Sequence, residues 1–360
     1  MKKKIRIDKY CSEIDWPKEL EKGFNLVVAG TGQGKTSAMM ALVEHSCVGF
    51  VAPYVAVTNQ VGKEYGIQVK VGMKAEESFT SEKASITSYH SIPRLLEMEH
   101  MDYLIIDEVH VLPGFSQFIK KGVIREFWRV VLELQKKFPD LKIVLLTATP
   151  HFIRLYPFDL QSEIYVEPRQ VISKPKSIEL IYTTKNLLRL KSNYLYLYPS
   201  KNMGQKQAMK YGGAYIDADN KDGNPAYHEI ILGQPASNKR IFTSTSLSTG
   251  LSLVGSGITT AISCWMSVVD TVQFSSRIRE GVDEFYVAKN IPYFFQQNGI
   301  DKPFLDWGND FEDSMRLLGK FESWASYQLH ENYFDDMLFN VLYQMIYAPN
   351  KELDWENMFY

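Results

Sequence analysis

Lys35 and Thr36 close a glycine-rich turn, Ala29-Gly30-Thr31-Gly32-Gln33-Gly34, that follows the apolar run Leu26-Val27-Val28. An amine and a hydroxyl at the mouth of such a turn are the groups that hold a phosphate chain and its cation. The glycines let the backbone fold tightly enough to aim successive N–H groups at one anion, and a following helix adds partial positive charge. Ser37 to Glu44 provide that helix, with Ala38, Met39, Leu42 and Val43 on an apolar side. The strict pattern begins with Gly where this chain has Ala29, so the match is to its relaxed form. Residues 29–36 are therefore expected to bind nucleotide phosphates, Lys35 reaching the β- and γ-phosphates and the Thr36 hydroxyl binding Mg²⁺. The bland alternative is a plain glycine turn.

A second cluster lies at Asp107-Glu108-Val109-His110, directly after the apolar run Tyr103-Leu104-Ile105-Ile106. A continuous apolar run bounded by charge is the pattern of a buried parallel strand. In an open α/β sheet ligands bind beyond the carboxyl ends of strands, where both this pair and the glycine turn fall. Asp107 is expected to hold Mg²⁺, directly or through water. Glu108 is expected to orient and deprotonate the water that attacks the γ-phosphate. A solvated acidic turn is the alternative.

The elements needed to position these groups read in order. Residues 1–22 are polar and basic, with Trp16-Pro17 breaking any long element, and are expected to be a lead-in beside the first strand. Strands are expected at Val48 to Ala52, Ala84 to Tyr89, Tyr103 to Ile106 and Lys142 to Leu146, with helices around Ile92 to Glu97 and Val123 to Lys137. From His151 to Lys176 periodicity fades and Pro157, Pro168 and Pro175 appear, as in an interdomain connection. Strands then recur at Ser177 to Tyr182, Tyr194 to Tyr198, Ala214 to Ile216, Arg240 to Thr243, Ile258 to Trp265 and Glu284 to Ala288. Helices are expected at Lys201 to Lys210 and Thr271 to Arg279. The alternation implies two α/β domains with mostly parallel sheets, residues 1–150 and 177–290, joined by 151–176. Residues 291–360 are aromatic and acidic, with helices expected at Phe311 to Ala325 and Tyr333 to Tyr347. They read as a helical appendage or, alternatively, a contact surface for a partner.

Across 360 residues the net charge is −2, so nucleic acid would have to be held by a local basic groove. Three scattered cysteines lack metal-ligand spacing and fit a reducing, cytoplasmic setting. No apolar run reaches membrane-spanning length.

Taken together, Ala29–Thr36, Asp107–His110 and Thr147-Ala148-Thr149-Pro150 resemble superfamily 2 helicases and translocases of the DExH type. The box reads Asp-Glu-Val-His here. Pro53–Gln60 looks like motif Ia of that family, and Thr87-Ser88-Tyr89 like a nucleic-acid-contacting motif. Thr243–Ser252 resembles motif V, with Gly250 in register and Ser252 where many relatives carry Asp. Gln273-Phe274-Ser275-Ser276-Arg277-Ile278-Arg279 resembles motif VI, with Gln273 and Arg277 in register, Ser276 replacing a Gly, and Glu280 where the last Arg belongs. The departures resemble a viral and mobile-element branch that includes herpesvirus-type origin-binding helicases, which would place the chain in replication or recombination inside a host cell.

The resemblance implies two tandem RecA-like domains with ATP and Mg²⁺ between them. It implies Arg277 as arginine finger with Arg279 in support, and Gln273 on the phosphates. His110, Thr147, Thr149 and Gly250 would couple hydrolysis to motion. Pro53, Thr58, Asn59, Thr87 and Tyr89 of the first domain, and Ser200, Thr245 and Ser246 of the second, would grip a DNA or RNA strand. Two rival expectations stand beside the motor: a nucleotide-dependent switch that holds a protein partner through its C-terminal segment, and a duplex translocase that separates no strands.

Overall fold

The computed structural model describes residues 1–67, 69, 83–112, 123–151, 153, 159–170, 174–181, 183–191, 193–198, 201–217, 219–220, 223–232, 234–244, 253, 256–264, 268–278, 280–288, 320 and 337–348. They fall in two compact units, one comprising Met1–Gln170 with Pro303–Phe321 and the other Val171–Lys302 with Glu322–Tyr360.

The first unit is built on seven parallel strands: β1 (Lys2–Ile7), β2 (Gly23–Val28), β3 (Val48–Ala52), β4 (Ala84–Ser88), β5 (Tyr103–Ile106), β6 (Lys142–Thr147) and β7 (Ser162–Pro168). Their order is β1-β7-β2-β6-β5-β3-β4. Every residue of β2, β3, β4 and β5 is buried, as expected of strands with helices on both faces. Because all neighbours run parallel, the loops that leave β2, β3, β5 and β6 emerge on one edge. One polar side chain is fixed inside this sheet. Asn25 of β2 donates to the carbonyls of Glu21 and Gly23 and accepts the Ser162 hydroxyl at 2.6 Å, tying β2 to β7.

Helices α1 (Trp16–Glu19), α2 (Lys35–Met40), α3 (Val55–Tyr65) and α4 (Val123–Lys137) belong to this unit. Three expectations need correction here. The lead-in is not merely a polar segment, because Lys2–Ile7 pairs residue for residue with Ser162–Pro168 as the edge of the sheet. By the same pairing, part of the stretch read as an interdomain connection is β7, which lies between β1 and β2. The expected helix around Ile92 to Glu97 is a 3-10 segment, Tyr89–Glu97. Pro93 lies inside it, where it lacks an N–H and crowds the preceding turn, so regular α-helix is disfavoured.

The second unit carries β8 (Ser177–Ile181), β9 (Tyr194–Leu197), β10 (Ala214–Ile216), β11 (Arg240–Thr243), β12 (Thr260–Cys264) and β13 (Glu284–Ala288), again parallel, in the order β10-β11-β9-β12-β13-β8. Its helices are α5 (Lys185–Leu190), α6 (Lys201–Tyr211), α7 (Pro225–Ile231), α8 (Val268–Ser275) and α9 (Met337–Tyr347). Asn224 caps α7 by accepting the Ala226 N–H, with Pro225 at the first helical position, a start signal the sequence reading passed over. Of the two helices expected in the C-terminal segment, Met337–Tyr347 is described and packs on α8 and β8, while Phe311 to Ala325 lies outside the described residues apart from Lys320.

Candidate functional site

The turn after β2 is held in a shape that needs its glycines. Gly32 has φ +86° and Gly34 φ +71°, the left-handed region where a Cβ is strained. The Gln33 side chain reaches back to accept the Gly30 N–H at 2.8 Å, and Ala29 and Gln33 are buried beneath the rim of the loop. Lys35 opens α2 and is itself buried, its Nζ donating to the carbonyls of Ala29 (2.9 Å) and Gly30 (3.1 Å). Thr31 and Gly32 remain half-exposed at the mouth.

Thr36 and Asp107 meet directly. The Thr36 hydroxyl donates to Asp107 Oδ2 at 2.9 Å, and the backbone N–H of Glu108 donates to Oδ1 at 3.0 Å. Burial and, next, the adjacent Glu108 carboxylate push the Asp107 carboxyl up to about 6 against the opposing pull of Lys35 and the Thr36 bond. Two hard oxygen donors facing each other beside a second carboxylate suit Mg²⁺.

A linked consequence concerns stability. Asp107 has its folded pKa raised above 3.8, so between about pH 4 and about pH 6 the folded chain holds a proton that the unfolded chain releases. Stability from this group is therefore present at low pH and lost as pH rises through 6. Without metal or nucleotide, the stability of Asp107→Asn relative to the unsubstituted chain is expected to be greater at about pH 7.5 than at about pH 5. Urea unfolding of both proteins at the two pH values measures this, and a gap independent of pH would contradict the shift.

Glu108 has φ +51°, the lone non-glycine residue with positive φ among the described residues. That conformation costs on the order of 1–3 kcal/mol and turns the side chain back beside Asp107. Glu108 Oε2 lies 3.4 Å from His110 Nδ1, which is also 3.1 Å from Thr147 Oγ1. The Thr147 hydroxyl accepts the Thr149 N–H at 2.9 Å, and the Thr147 carbonyl accepts the Ala29 N–H at 3.1 Å. The acidic box, the end of β6 and the first residue of the phosphate turn thus form one bonded chain.

The expected strand-gripping residues of this unit mostly have buried side chains. Thr87, Tyr89 and Thr58 are at most 2% exposed, and Pro53 is buried. The Tyr89 hydroxyl donates to the Asp107 carbonyl while its ring packs edge-on against Phe127, and the Thr58 hydroxyl donates back to the Val55 carbonyl. Their side chains shape the loops from beneath. Asn59 alone of the five presents an exposed side chain.

The sequence reading missed the segment packed against the phosphate turn. The Cys11 N–H donates to the Gln33 carbonyl at 2.8 Å, and the Trp16 indole donates to the Cys11 carbonyl at 2.9 Å. Glu13 accepts the N–H groups of Asp8, Lys9 and Tyr10 at 2.7–2.8 Å, which holds its carboxyl below the usual range. The half-exposed Tyr10 ring then stands beside Gly34. Asp8 to Glu13 hold no apolar periodicity, and the only local signal was an acid three residues after Tyr10.

In the second unit, Gln273 lies on α8 and Arg277 just beyond its end. Both are buried, and Arg277 Nη2 donates to Gln273 Oε1 at 3.2 Å. The Arg277 carbonyl accepts the Leu253 N–H at 2.9 Å, fixing the turn after α8. Ser200, Thr245, Ser246, Gly250 and Arg279 lie outside the described residues.

Residues 3–152 match the family described as "Type III restriction enzyme, res subunit" (ResIII). Among solved structures, the chain is similar to the Mycobacterium smegmatis helicase Lhr bound to ssDNA and AMP-PNP, with a TM-score of 0.52, 13% identity and coverage of 73% of this chain and 43% of that one. The fold is that of tandem RecA-like α/β domains. It is similar as well to the DUF1998 helicase MrfA bound to DNA, with a TM-score of 0.53, 13% identity and coverage of 78% and 46%. Mss116p bound to ssRNA and AMP-PNP gives a TM-score of 0.53 at 11% identity, covering 79% of this chain and 77% of that one. The chain thus spans less than half the length of Lhr and MrfA. No curated protein sequence matches it. No helix among the described residues is long and apolar enough to cross a membrane.

Proposed function

We propose that this chain hydrolyses ATP to move along a nucleic-acid strand. One observation carries the reading: the phosphate turn, the Thr36–Asp107 pair and Glu108 are assembled on one edge of a parallel sheet, with His110 3.4 Å from Glu108 and hydrogen-bonded to Thr147. Lhr and Mss116p, which share this fold, are bound to AMP-PNP together with ssDNA or ssRNA, and this supports the reading.

Each residue has a defined task in this reading. The backbone N–H groups of residues 30–36 and the amine of Lys35 bind the phosphates, Lys35 leaving the Ala29 and Gly30 carbonyls to do so. Thr36 and Asp107 would hold Mg²⁺, which supplies charge neutralisation on the phosphate oxygens. Glu108 orients the attacking water and takes its proton. Arg277, with Gln273 steadying its guanidinium, would stabilise negative charge on the transferring phosphoryl group. His110, Thr147 and Thr149 relay the state of that site to the loops that grip the strand. Those loops bind the sugar–phosphate backbone, so sequence preference is weak.

The deciding measurement is ATP turnover with and without single-stranded DNA, duplex DNA, single-stranded RNA and duplex RNA. Turnover that rises about tenfold or more with one of them, and falls back with added salt as phosphate contacts are screened, is the expected result. Turnover indifferent to all four would instead favour a switch acting on a protein.

A further inference from the structure

Far from the phosphate turn, at the amino-terminal ends of β3 and β5, three side chains of metal-binding type converge. Cys47 immediately precedes β3, and His100 and Asp102 flank the entry to β5. One ligand atom from each, a thiol sulfur, an imidazole nitrogen and a carboxylate oxygen, lies within 4.8 Å of the other two. We infer that Cys47, His100 and Asp102 form a binding site for a thiophilic divalent cation of the Zn²⁺ class, distinct from the Mg²⁺ position at Thr36 and Asp107.

The backbone beneath the three residues is fixed by its own bonds. The Cys47 N–H donates to Asp102 Oδ2 at 2.8 Å, and the N–H groups of Asp102 and Tyr103 both donate to the Cys47 carbonyl at 2.9 and 3.2 Å. The approach to His100 is pinned by Lys137 of α4, whose Nζ donates to the Leu96 and Met98 carbonyls at 2.7 and 2.8 Å. The His100 ring packs edge-on against Phe138. Its Nε2 lies 2.9 Å from Asp102 Oδ1, so a proton now occupies a position between two donors that a cation can share.

Tetrahedral zinc bonds of about 2.0–2.3 Å put ligand atoms about 3.3–3.8 Å apart, so the longest separation closes by at most about 1 Å while the His100–Asp102 pair opens slightly. His100 is largely exposed and Cys47 half-exposed, so the movement falls on side chains at the surface and leaves the strand ends where they are. Asp102 keeps one oxygen on the Cys47 amide, which orients the carboxylate as supporting hydrogen bonds do at known metal sites. A sulfur, a nitrogen and a single oxygen exclude Mg²⁺ and Ca²⁺, which prefer all-oxygen shells, and favour zinc. With three protein ligands the fourth position falls to water.

Cobalt(II) added to the whole chain without nucleotide is expected to bind one equivalent and give a thiolate-to-cobalt charge-transfer band, bleached by equimolar Zn²⁺. Cys11 and Cys264 are fully buried, which leaves Cys47 as the cysteine a thiol reagent can reach. Zn²⁺ should therefore protect the single fast-reacting thiol. Cys47→Ser should lose the band, His100→Ala should weaken binding by about 10–100-fold or more, and Cys264→Ser should change neither. No band with the unsubstituted chain, or a band that survives in Cys47→Ser, overturns the proposal. Because the readouts need no ATP, the outcome is independent of the motor reading.

Discussion

Replacing Lys35 with alanine is expected to lower ATP turnover by about 10²–10³-fold or more, the loss that follows removal of one preorganised donor to transition-state charge. The amine lies among backbone groups at the start of α2, bonded to the Ala29 and Gly30 carbonyls. It is the sole side-chain cation in residues 29–36, so no neighbour in the loop can replace it. Those two carbonyls hold it ready and cost little to leave, since water or incoming phosphate-bound groups can satisfy them. The turn itself depends on Gly32, Gly34 and the Gln33–Gly30 bond, none of which involves the amine. The variant should therefore fold with an unchanged thermal midpoint to within a few degrees while phosphate release at saturating nucleic acid collapses. A rate equal to that of the unsubstituted chain would remove the phosphate turn from the mechanism.

What the sequence disclosed and what it hid divide along physical lines. Tyr103–Ile106 and Val48–Ala52 are buried on both faces, so their composition is continuously apolar and their limits were readable. Gln273 and Arg277 were legible only through their resemblance to motif VI, and their side chains do bond, Arg277 from just beyond the end of α8. β1 escaped because it lies at the sheet edge, where Lys2, Lys4 and Arg6 point to solvent and its single partner lies some 160 residues away in sequence. Pairing over that distance leaves no local trace. Tyr10 and Cys11 escaped for a related reason: Cys11 acts through its backbone N–H, a group that every residue except proline possesses. Thr87 and Tyr89 lie at the end of β4 and just after it with their side chains buried, since a motif fixes where a residue lies in the chain and packing decides which way it turns.

Glu108→Gln tests the chemistry where Lys35→Ala tests binding. The substitution keeps the shape of the side chain but removes the carboxylate that can accept a proton. ATP turnover is expected to fall by about 10²–10⁴-fold, the usual contribution of a general base. ATP affinity should hold or rise, because two clustered carboxylates repel both each other and the incoming phosphates, and the substitution removes one of them. The same loss of repulsion lowers the Asp107 carboxyl, one of whose raising influences is Glu108. Mg²⁺ should then compete with protons less steeply as pH falls through 6, which Mg²⁺-dependent nucleotide binding at about pH 5.5 and about pH 7.5 can read. A glutamine amide at this position faces His110 and can donate where the carboxylate could only accept, so the link onward to Thr147 is altered as well. The variant should accordingly trap ATP together with its strand without turning over. Near-normal turnover would show that another group takes the proton from water, and would leave the positive φ at Glu108 a matter of turn geometry alone.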